Sequence, residues 1–266
     1  MSQVKEREKL IGVFDSGVGG LTVLALAAKL LPAENYIYFG DTAHAPYGSR
    51  SKEEVRRLSL AAAEMLCNRG CKALVVACNT ATSAAVRELR EIYSVPVIGM
   101  EPAVKPALQR GGKVLVMATP LTLKEEKFKR LCSSCGADQD NVTVLPCPGL
   151  VEMVERGETE GPLVEQTLAR LFAGVDLEGI TAVVLGCTHY LFLKKALSRI
   201  LPVGVEFVDG NLGTVKQLTR LLEANKLLRD GTVAGNVELL SSGGNSSIVI
   251  FKKLYQIALA ETEGLK

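Results

Sequence analysis

Two cysteines stand where catalytic thiols could act. Cys78 ends the apolar run in "ALVVACNT" (residues 73–80), and Cys187 ends the run in "AVVLGCTH" (residues 182–189). An apolar run followed by polar residues predicts a strand that leads into a helix. At a helix N-terminus, free backbone N–H groups lower the pKa of a thiol and attract carboxylates. The alternative is a pair of core cysteines, but the recurrence favours two functional thiols.

Two thiols that face one cleft are suited to racemisation. One thiolate removes a proton from one face of a tetrahedral carbon, and the other thiol supplies a proton to the opposite face. An ordinary thiol with a pKa of about 8.5 is only about 3% ionised at pH 7, so each needs a partner that handles its proton. Asp15, at the end of the first predicted strand, and His189, just past Cys187, are the candidate partners. The alternative for Asp15 and His189 is a capping or core role.

The elements that must position these residues follow from the alternation of short apolar runs with helical patterns. Helical composition begins at residue 21 and covers residues 52–68 and 81–93. Asn79 or Thr80 is the expected cap of the helix that begins near residue 81. A terminal helix follows the flexible "SSGGNSS" (residues 241–247). Strands are predicted at residues 11–15, 36–41, 72–78, 95–99, 114–119, 141–147, 182–187 and 205–210. This alternation predicts an α/β fold of mostly parallel sheets flanked by helices.

The two halves of the chain repeat one another. Cys187 follows Cys78 by 109 residues, and Thr119 follows Ser16 by 103. Such self-similarity predicts two pseudo-symmetric domains with the active site in the cleft between them, where the carboxyl ends of the strands meet. We assign residues 1–99 plus 208–266 to the first domain, to which the C-terminal segment returns. Residues 100–207 form the second domain.

The composition narrows the function classes. Of 266 residues, 47% are hydrophobic and 23% charged, as in a globular protein, and the net charge of +2 predicts neither nucleic-acid nor membrane partners. The charged start "MSQVKEREKL" has no apolar leader, which predicts a cytoplasmic protein. Seven cysteines, an odd number, favour reduced thiols over a disulfide framework. The oligomeric state stays open, with a homodimer as one option.

The other motifs give weaker evidence of a function. "GVGGLT" lacks the GK[ST] ending of a phosphate loop. "CSSC" (residues 132–135) has metal or redox spacing but no second pair, so we expect no metal site. Cys67 and Cys71 are expected to pack or cap near a helix end, and His44 to be a loop residue.

Four segments together carry a specific resemblance. "FDSGVGGLTVL", "GDTAHAPYGSRS", "ACNTAT" and "GCTHY", in this order and spacing, resemble the signature segments of the glutamate racemases, within the aspartate/glutamate racemase family. The similarity runs from residue 11 to about residue 209. It implies cofactor-independent interconversion of L- and D-glutamate between two α/β domains. It also implies a supply of D-glutamate for peptidoglycan, and so for cell wall biogenesis and cell shape.

The resemblance also implies roles for individual residues. Cys78 and Cys187 match the two bases, Asp15 and His189 their assistants. A further glutamate assists in the family; "LVEMVERG" offers Glu152 and Glu155, of which the spacing to the next glycine favours Glu155. The substrate-contacting segments are matched by Asp15, Ser16, Tyr47, Gly48, Asn79, Thr80, Thr119, Thr122, Thr188 and His189. The family's Gly-Thr-x-x-Thr reads "ATPLT" here, with Ala118 in place of glycine.

Two alternatives remain open. One is a sister enzyme that racemises aspartate or a related acid with the same two thiols. The other is a non-catalytic amino-acid-binding or thiol-redox module on the duplicated fold. The intact polar neighbours of both cysteines favour the racemase.

Overall fold

A computed structural model describes residues 3–137, 140–231 and 233–262. The strands are β1 (Ile11–Asp15), β2 (Tyr36–Gly40), β3 (Ala73–Val76), β4 (Val97–Gly99), β5 (Lys113–Ala118), β6 (Val142–Pro146), β7 (Ile180–Leu185), β8 (Glu206–Val208) and β9 (Val237–Ser241). The helices are α1 (Gln3–Arg7), α2 (Leu21–Leu30), α3 (Lys52–Asn68), α4 (Asn79–Ile92), α5 (Val104–Leu108), α6 (Pro120–Lys124), α7 (Glu126–Ser134), α8 (Leu150–Glu155), α9 (Pro162–Phe172), α10 (Lys194–Leu197), α11 (Asn211–Ala224) and α12 (Asn245–Thr262).

The strands form two parallel sheets. The first has the order β4-β3-β1-β2-β9 and the second the order β6-β5-β7-β8. Read from the opposite edge, the second sheet is β8-β7-β5-β6, so each strand of the second half takes the place of its counterpart in the first. The predicted α/β class with two related parallel sheets is confirmed. Among the strands of the described residues, β9 alone has no counterpart.

Burial explains why the central strands are almost entirely apolar. Every residue of β1 and β3 is buried, because helices cover both faces of a parallel sheet. The edge strand β6 differs, since Thr143, Val144 and Pro146 are exposed. Pro146 ends that strand, a position where its missing N–H removes no essential ladder bond.

The apolar core is continuous between the two sheets. One cluster joins Val13 and Leu24 of the first half to Met117 and Leu185 of the second. The core therefore supports the base of the cleft and fixes the sheets against each other. Within the part of the chain described, no helix combines the length and the hydropathy needed to cross a membrane.

Most strand boundaries lie one or two residues from the predicted ones, and one strand was missed. β7 covers Ile180–Leu185 instead of residues 182–187, and so ends two residues before Cys187. β3 ends at Val76 rather than at residue 78, and α4 begins at Asn79 rather than near residue 81. β9 was not predicted, although it pairs with β2 over the whole of residues 237–241. The domain partition at residues 99/100 and 207/208 stays a proposal; β8 ends at Val208.

Candidate active site

The carboxyl ends of the central strands of both sheets meet face to face. Asp15 ends β1, and its Oδ2 accepts a hydrogen bond of 3.1 Å from the hydroxyl of Thr188, which follows β7. The hydroxyls of Thr80, after β3, and Thr119, after β5, lie 3.1 Å apart. The structure thus brings the predicted site residues of both halves together in one cleft, at the sheet edge where such folds bind ligands.

Cys78 is the N-cap of α4, a role the sequence analysis wrongly gave to Asn79 or Thr80. Its Sγ accepts a hydrogen bond from the backbone N–H of Ala81 at 3.4 Å, and its S–H points to Oγ of Ser16 at 3.6 Å. The expected lowering of its pKa is also wrong for this closed state. Burial, followed by the charge of Asp15, raises the pKa of Cys78 to about 12 against the bonds from Ala81 and Ser16.

Cys187 lies at one end of a polar chain. Its Sγ is 3.7 Å from Nδ1 of His189, and Nε2 of His189 is 2.5 Å from Oε1 of Glu155. Burial opposes a charge on His189, but its contacts with Cys187 and Glu155 prevail and raise its pKa well above the usual value. The His189 ring therefore lies between the Cys187 thiol and the Glu155 carboxylate, where it can exchange a proton with either.

Glu155, rather than Glu152, reaches the site. Besides contacting His189, Oε1 of Glu155 accepts a hydrogen bond of 2.7 Å from the backbone N–H of Val18. Glu152 makes no such contact with His189; it lines a surface groove with Met153 and Arg156, and also the small cavity beside Gly48 and Thr119. Gly17 allows this approach, because a Cβ at that position would collide with the Glu155 carboxylate. "GVGGLT" therefore packs against the active site.

Asp15 is fully buried, and its carboxylate accepts hydrogen bonds from groups other than Cys78. Its Oδ1 accepts from the backbone N–H of Gly17 at 2.9 Å, while Oδ2 accepts from Thr188. Burial raises the pKa of Asp15, although the charge of His189 opposes the shift. Its influence on Cys78 in this state is electrostatic.

Three threonine hydroxyls form a buried cluster beside the thiols. Thr119 and Thr122 are 3.0 Å apart, and each lies 3.1 Å from Thr80. Thr119 also caps α6, and Gly48 packs so closely on it that a Cβ there would lie 2.5 Å from the Cβ of Thr119. Hydroxyl donors converging on one point are suited to a carboxylate. The replacement at Ala118 leaves β5 regularly paired with β6.

Asn79 offers an unused acceptor at the same place. The residue is buried, and its Oδ1 has no hydrogen-bond partner among the described residues. Buried acceptors are nearly always satisfied, so an orphan in a cleft points to a ligand with N–H donors. Asn79 and Asp15 together suit an ammonium group.

Asp41 was missed by the sequence analysis. It is buried, accepts a hydrogen bond of 2.7 Å from the hydroxyl of Tyr47, and lies 2.8 Å from Nδ1 of His44. The available signal was its position, because it follows the strand β2 as a carboxylate, much as Asp15 ends β1. His44 lies on a short 3-10 turn, Thr42–His44.

The cleft is closed around the thiols. Cys78 and Cys187 are only 6% and 7% exposed. At the seam between the halves, Gly48, Thr119 and Cys147 line a cavity of about 60 Å³. Neither Cys78 nor Cys187 lines that cavity.

The "CSSC" motif (residues 132–135) lies at the C-terminal end of α7. All seven cysteines are free thiols, and the Sγ of Cys135 donates to the carbonyl of Leu131 at 3.0 Å. Across the described ranges, no three His, Cys, Asp or Glu side chains come together as metal ligands would.

Comparison with known proteins gives a consistent result. The model of the family described as Asp/Glu/Hydantoin racemase matches residues 21–218. The chain is 46% identical to a glutamate racemase of Clostridium botulinum, over 91% of this chain and 95% of that protein. It is also similar to the crystal structure of glutamate racemase from Thermus thermophilus, with a TM-score of 0.79 and 38% identity over 93% of both chains. The Francisella tularensis glutamate racemase, solved with D-glutamate, gives a TM-score of 0.81 and 31% identity over 96% of this chain and 94% of that one.

Proposed function

The chain belongs to the Asp/Glu/hydantoin racemase family and falls among its glutamate racemases, and from this premise we propose that it interconverts L- and D-glutamate with two cysteine bases and no cofactor. The observation that carries the mechanism is that one cleft holds two buried thiols with different partners. Sγ of Cys187 lies 3.7 Å from Nδ1 of His189, which also contacts Glu155, while Sγ of Cys78 caps α4 and contacts Oγ of Ser16. One base and one acid are what a single proton exchange at Cα requires.

The remaining groups orient the substrate. The hydroxyls of Thr80, Thr119 and Thr122 suit a carboxylate of the substrate, while Asp15 and the orphan Oδ1 of Asn79 suit its ammonium. With these ends fixed, Cα lies between the two thiols. Cys187 removes the proton of one enantiomer and Cys78 protonates the opposite face; the roles exchange in the reverse direction.

A chiral assay of the purified protein tests this proposal. After dialysis against a chelator and a carbonyl reagent, L-glutamate should become an equal mixture of enantiomers without added metal or pyridoxal phosphate. Activity restored only by such an addition would refute the cofactor-free mechanism. Faster turnover of aspartate than of glutamate would favour the sister-enzyme alternative, and no turnover of either acid would favour the binding module.

We further propose that the product D-glutamate serves peptidoglycan synthesis in the cytoplasm. The resemblance to glutamate racemases supports the role, and the seven free thiols fit a reducing compartment. Expression in a bacterium lacking its own glutamate racemase should allow growth without added D-glutamate, and continued auxotrophy would count against the role. A homodimer stays a prediction.

A further inference from the structure

The buried Asp41 carboxylate connects two side chains that the proposed reaction does not employ directly. Its Oδ2 accepts from the Tyr47 hydroxyl at 2.7 Å, and its Oδ1 lies 2.8 Å from Nδ1 of His44. The His44 side chain is 45% exposed, whereas Asp41 and Tyr47 are buried. The three residues therefore form a hydrogen-bonded chain from the surface to the interior.

The bond to Asp41 determines what the Tyr47 hydroxyl offers to the site. A phenol has one hydrogen to donate, so a hydroxyl that gives it to Asp41 can only accept from a third group. The ring is fixed by burial and by Phe14, whose centroid is 6.2 Å away. Burial, and then the charges of Asp41, Cys78 and Asp15, raise the pKa of Tyr47. Tyr47 and Cys78 belong to the same buried cluster of side chains.

A carboxylate removed from water keeps its charge only if hydrogen bonds replace its hydration. His44 supplies such a bond from the solvent side, since either the neutral Nδ1–H tautomer or the charged ring can donate to Oδ1 of Asp41. We propose that His44 is a positioning residue: by holding Asp41, it keeps the Tyr47 hydroxyl an acceptor for the bound amino acid. This inference rests on the proposed function and deepens it.

A double-mutant cycle tests the inference. Glutamate racemisation is measured in both directions for the wild type, His44→Ala, Tyr47→Phe and the double variant. We expect His44→Ala to lower kcat/KM about tenfold in the wild-type background, the effect of losing one hydrogen bond to a charged group, and to have little effect when Tyr47 is Phe. If Tyr47→Phe turns over too slowly, the dissociation constant of D-glutamate from calorimetry replaces kcat/KM in the same cycle.

Two matched variants separate positioning from general damage. His44→Asn places an amide Nδ2 near the position of Nδ1 and should restore most of the lost activity. Ser49→Ala alters an exposed residue of the next turn and should leave activity unchanged. Equal losses from His44→Ala in both backgrounds, or His44→Asn as impaired as His44→Ala, would overturn the inference. A wild-type protein that does not racemise glutamate would instead overturn the proposed function, which the same assay shows first.

Discussion

At the scale of single residues, the two thiols share a place in the fold but not an environment. Cys187 contacts the imidazole of His189, which in turn contacts the carboxylate of Glu155. Cys78 instead caps α4 and contacts the hydroxyl of Ser16. The two environments differ because each half places different side chains next to the strand end that leads to its thiol. This difference predicts that each base depends on its own assistant.

Replacing either thiol should abolish racemisation. Cys78→Ser and Cys187→Ser each leave a hydroxyl, which is far too weak a base at neutral pH, and we expect kcat/KM to fall by at least about a thousandfold. In deuterated water each variant retains one thiol, so any residual Cα exchange should occur without inversion and favour opposite enantiomers. Full racemisation by either variant would contradict the two-base mechanism.

The assistants should be separable by isotope effects. Asp15→Asn slows proton transfer at Cys78, so a Cα-deuterated substrate should show a large effect on kcat/KM only in the direction in which Cys78 removes the deuteron. His189→Asn should give the reverse pattern. Loss of an acid–base group predicts a fall in kcat/KM of about a hundredfold or more, equal in both directions because enantiomers have equal free energy. Isotope effects that do not depend on direction in either variant would contradict the pairing.

At the scale of elements, loops between strands and helices position the chemistry. The turn after β1 packs against Glu155, Thr188 and His189 of the second half, and the catalytic candidate Cys78 caps α4. Both arrangements require small or capping residues at fixed positions. Substitutions at these positions should therefore change stability or activity through packing and capping.

The cap of α4 predicts an order of stability. Serine is a strong N-cap and keeps an acceptor for the N–H of Ala81, whereas alanine leaves that donor unsatisfied. Cys78→Ser should therefore retain the stability of the wild type, and Cys78→Ala should lose about 1 kcal/mol in urea unfolding. The serine variant then serves as a folded, inactive control. Equal stability of the two variants would contradict the capping role.

The turn after β1 predicts sensitivity to one methyl group. A Cβ at Gly19 would collide with the Thr188 hydroxyl and the His189 ring. Gly19→Ala should therefore lower kcat/KM about a hundredfold by displacing His189, an error of about 1 Å in catalytic geometry. Gly213→Ala in α11, where a Cβ meets no atom within 4 Å, should keep full activity and stabilise the fold by about 0.5–1 kcal/mol. Equal behaviour of the two variants would contradict the packing argument.

At the scale of the whole molecule, a continuous core and a closed cleft bury groups that water would otherwise solvate. Burial raises the pKa values of Cys71, Cys78 and Cys147 to about 12 each. Because the unfolded chain ionises its thiols near pH 8.5, it binds fewer protons than the folded protein between that pH and 12. The thiols' contribution to stability is therefore complete below pH 8.5 and is lost as the pH rises.

The coupling between thiol ionisation and unfolding can be measured at Cys71, which lies outside the candidate active site. The free energy of unfolding should fall between pH 8.5 and 10, below the range in which unfolded tyrosines titrate, and Cys71→Ala should make the slope shallower. The slope is compared rather than the absolute stability, since a smaller side chain also leaves a cavity. An unchanged slope in Cys71→Ala would contradict the raised pKa of that thiol.

Features that depend on local pattern could be predicted from the sequence. Apolar runs with polar ends predicted β1 to β8 and placed Asp15, Cys78, Thr119 and Cys187 at or just past strand ends. The similar spacing in the two halves predicted two related sheets, because parallel strands of the same order bring their carboxyl ends to one edge.

Features that depend on contacts between distant segments became visible in the folded chain alone. β9 is an edge strand of five residues whose partner, β2, lies about two hundred positions earlier, so its own pattern was too weak to identify it. The spacing to the next glycine favoured Glu155, but its contacts with His189 and with the backbone N–H of Val18 join segments far apart in the sequence. The pKa of Cys78 rises because packing removes water from the thiol, and the helix N-terminus does not compensate for that loss.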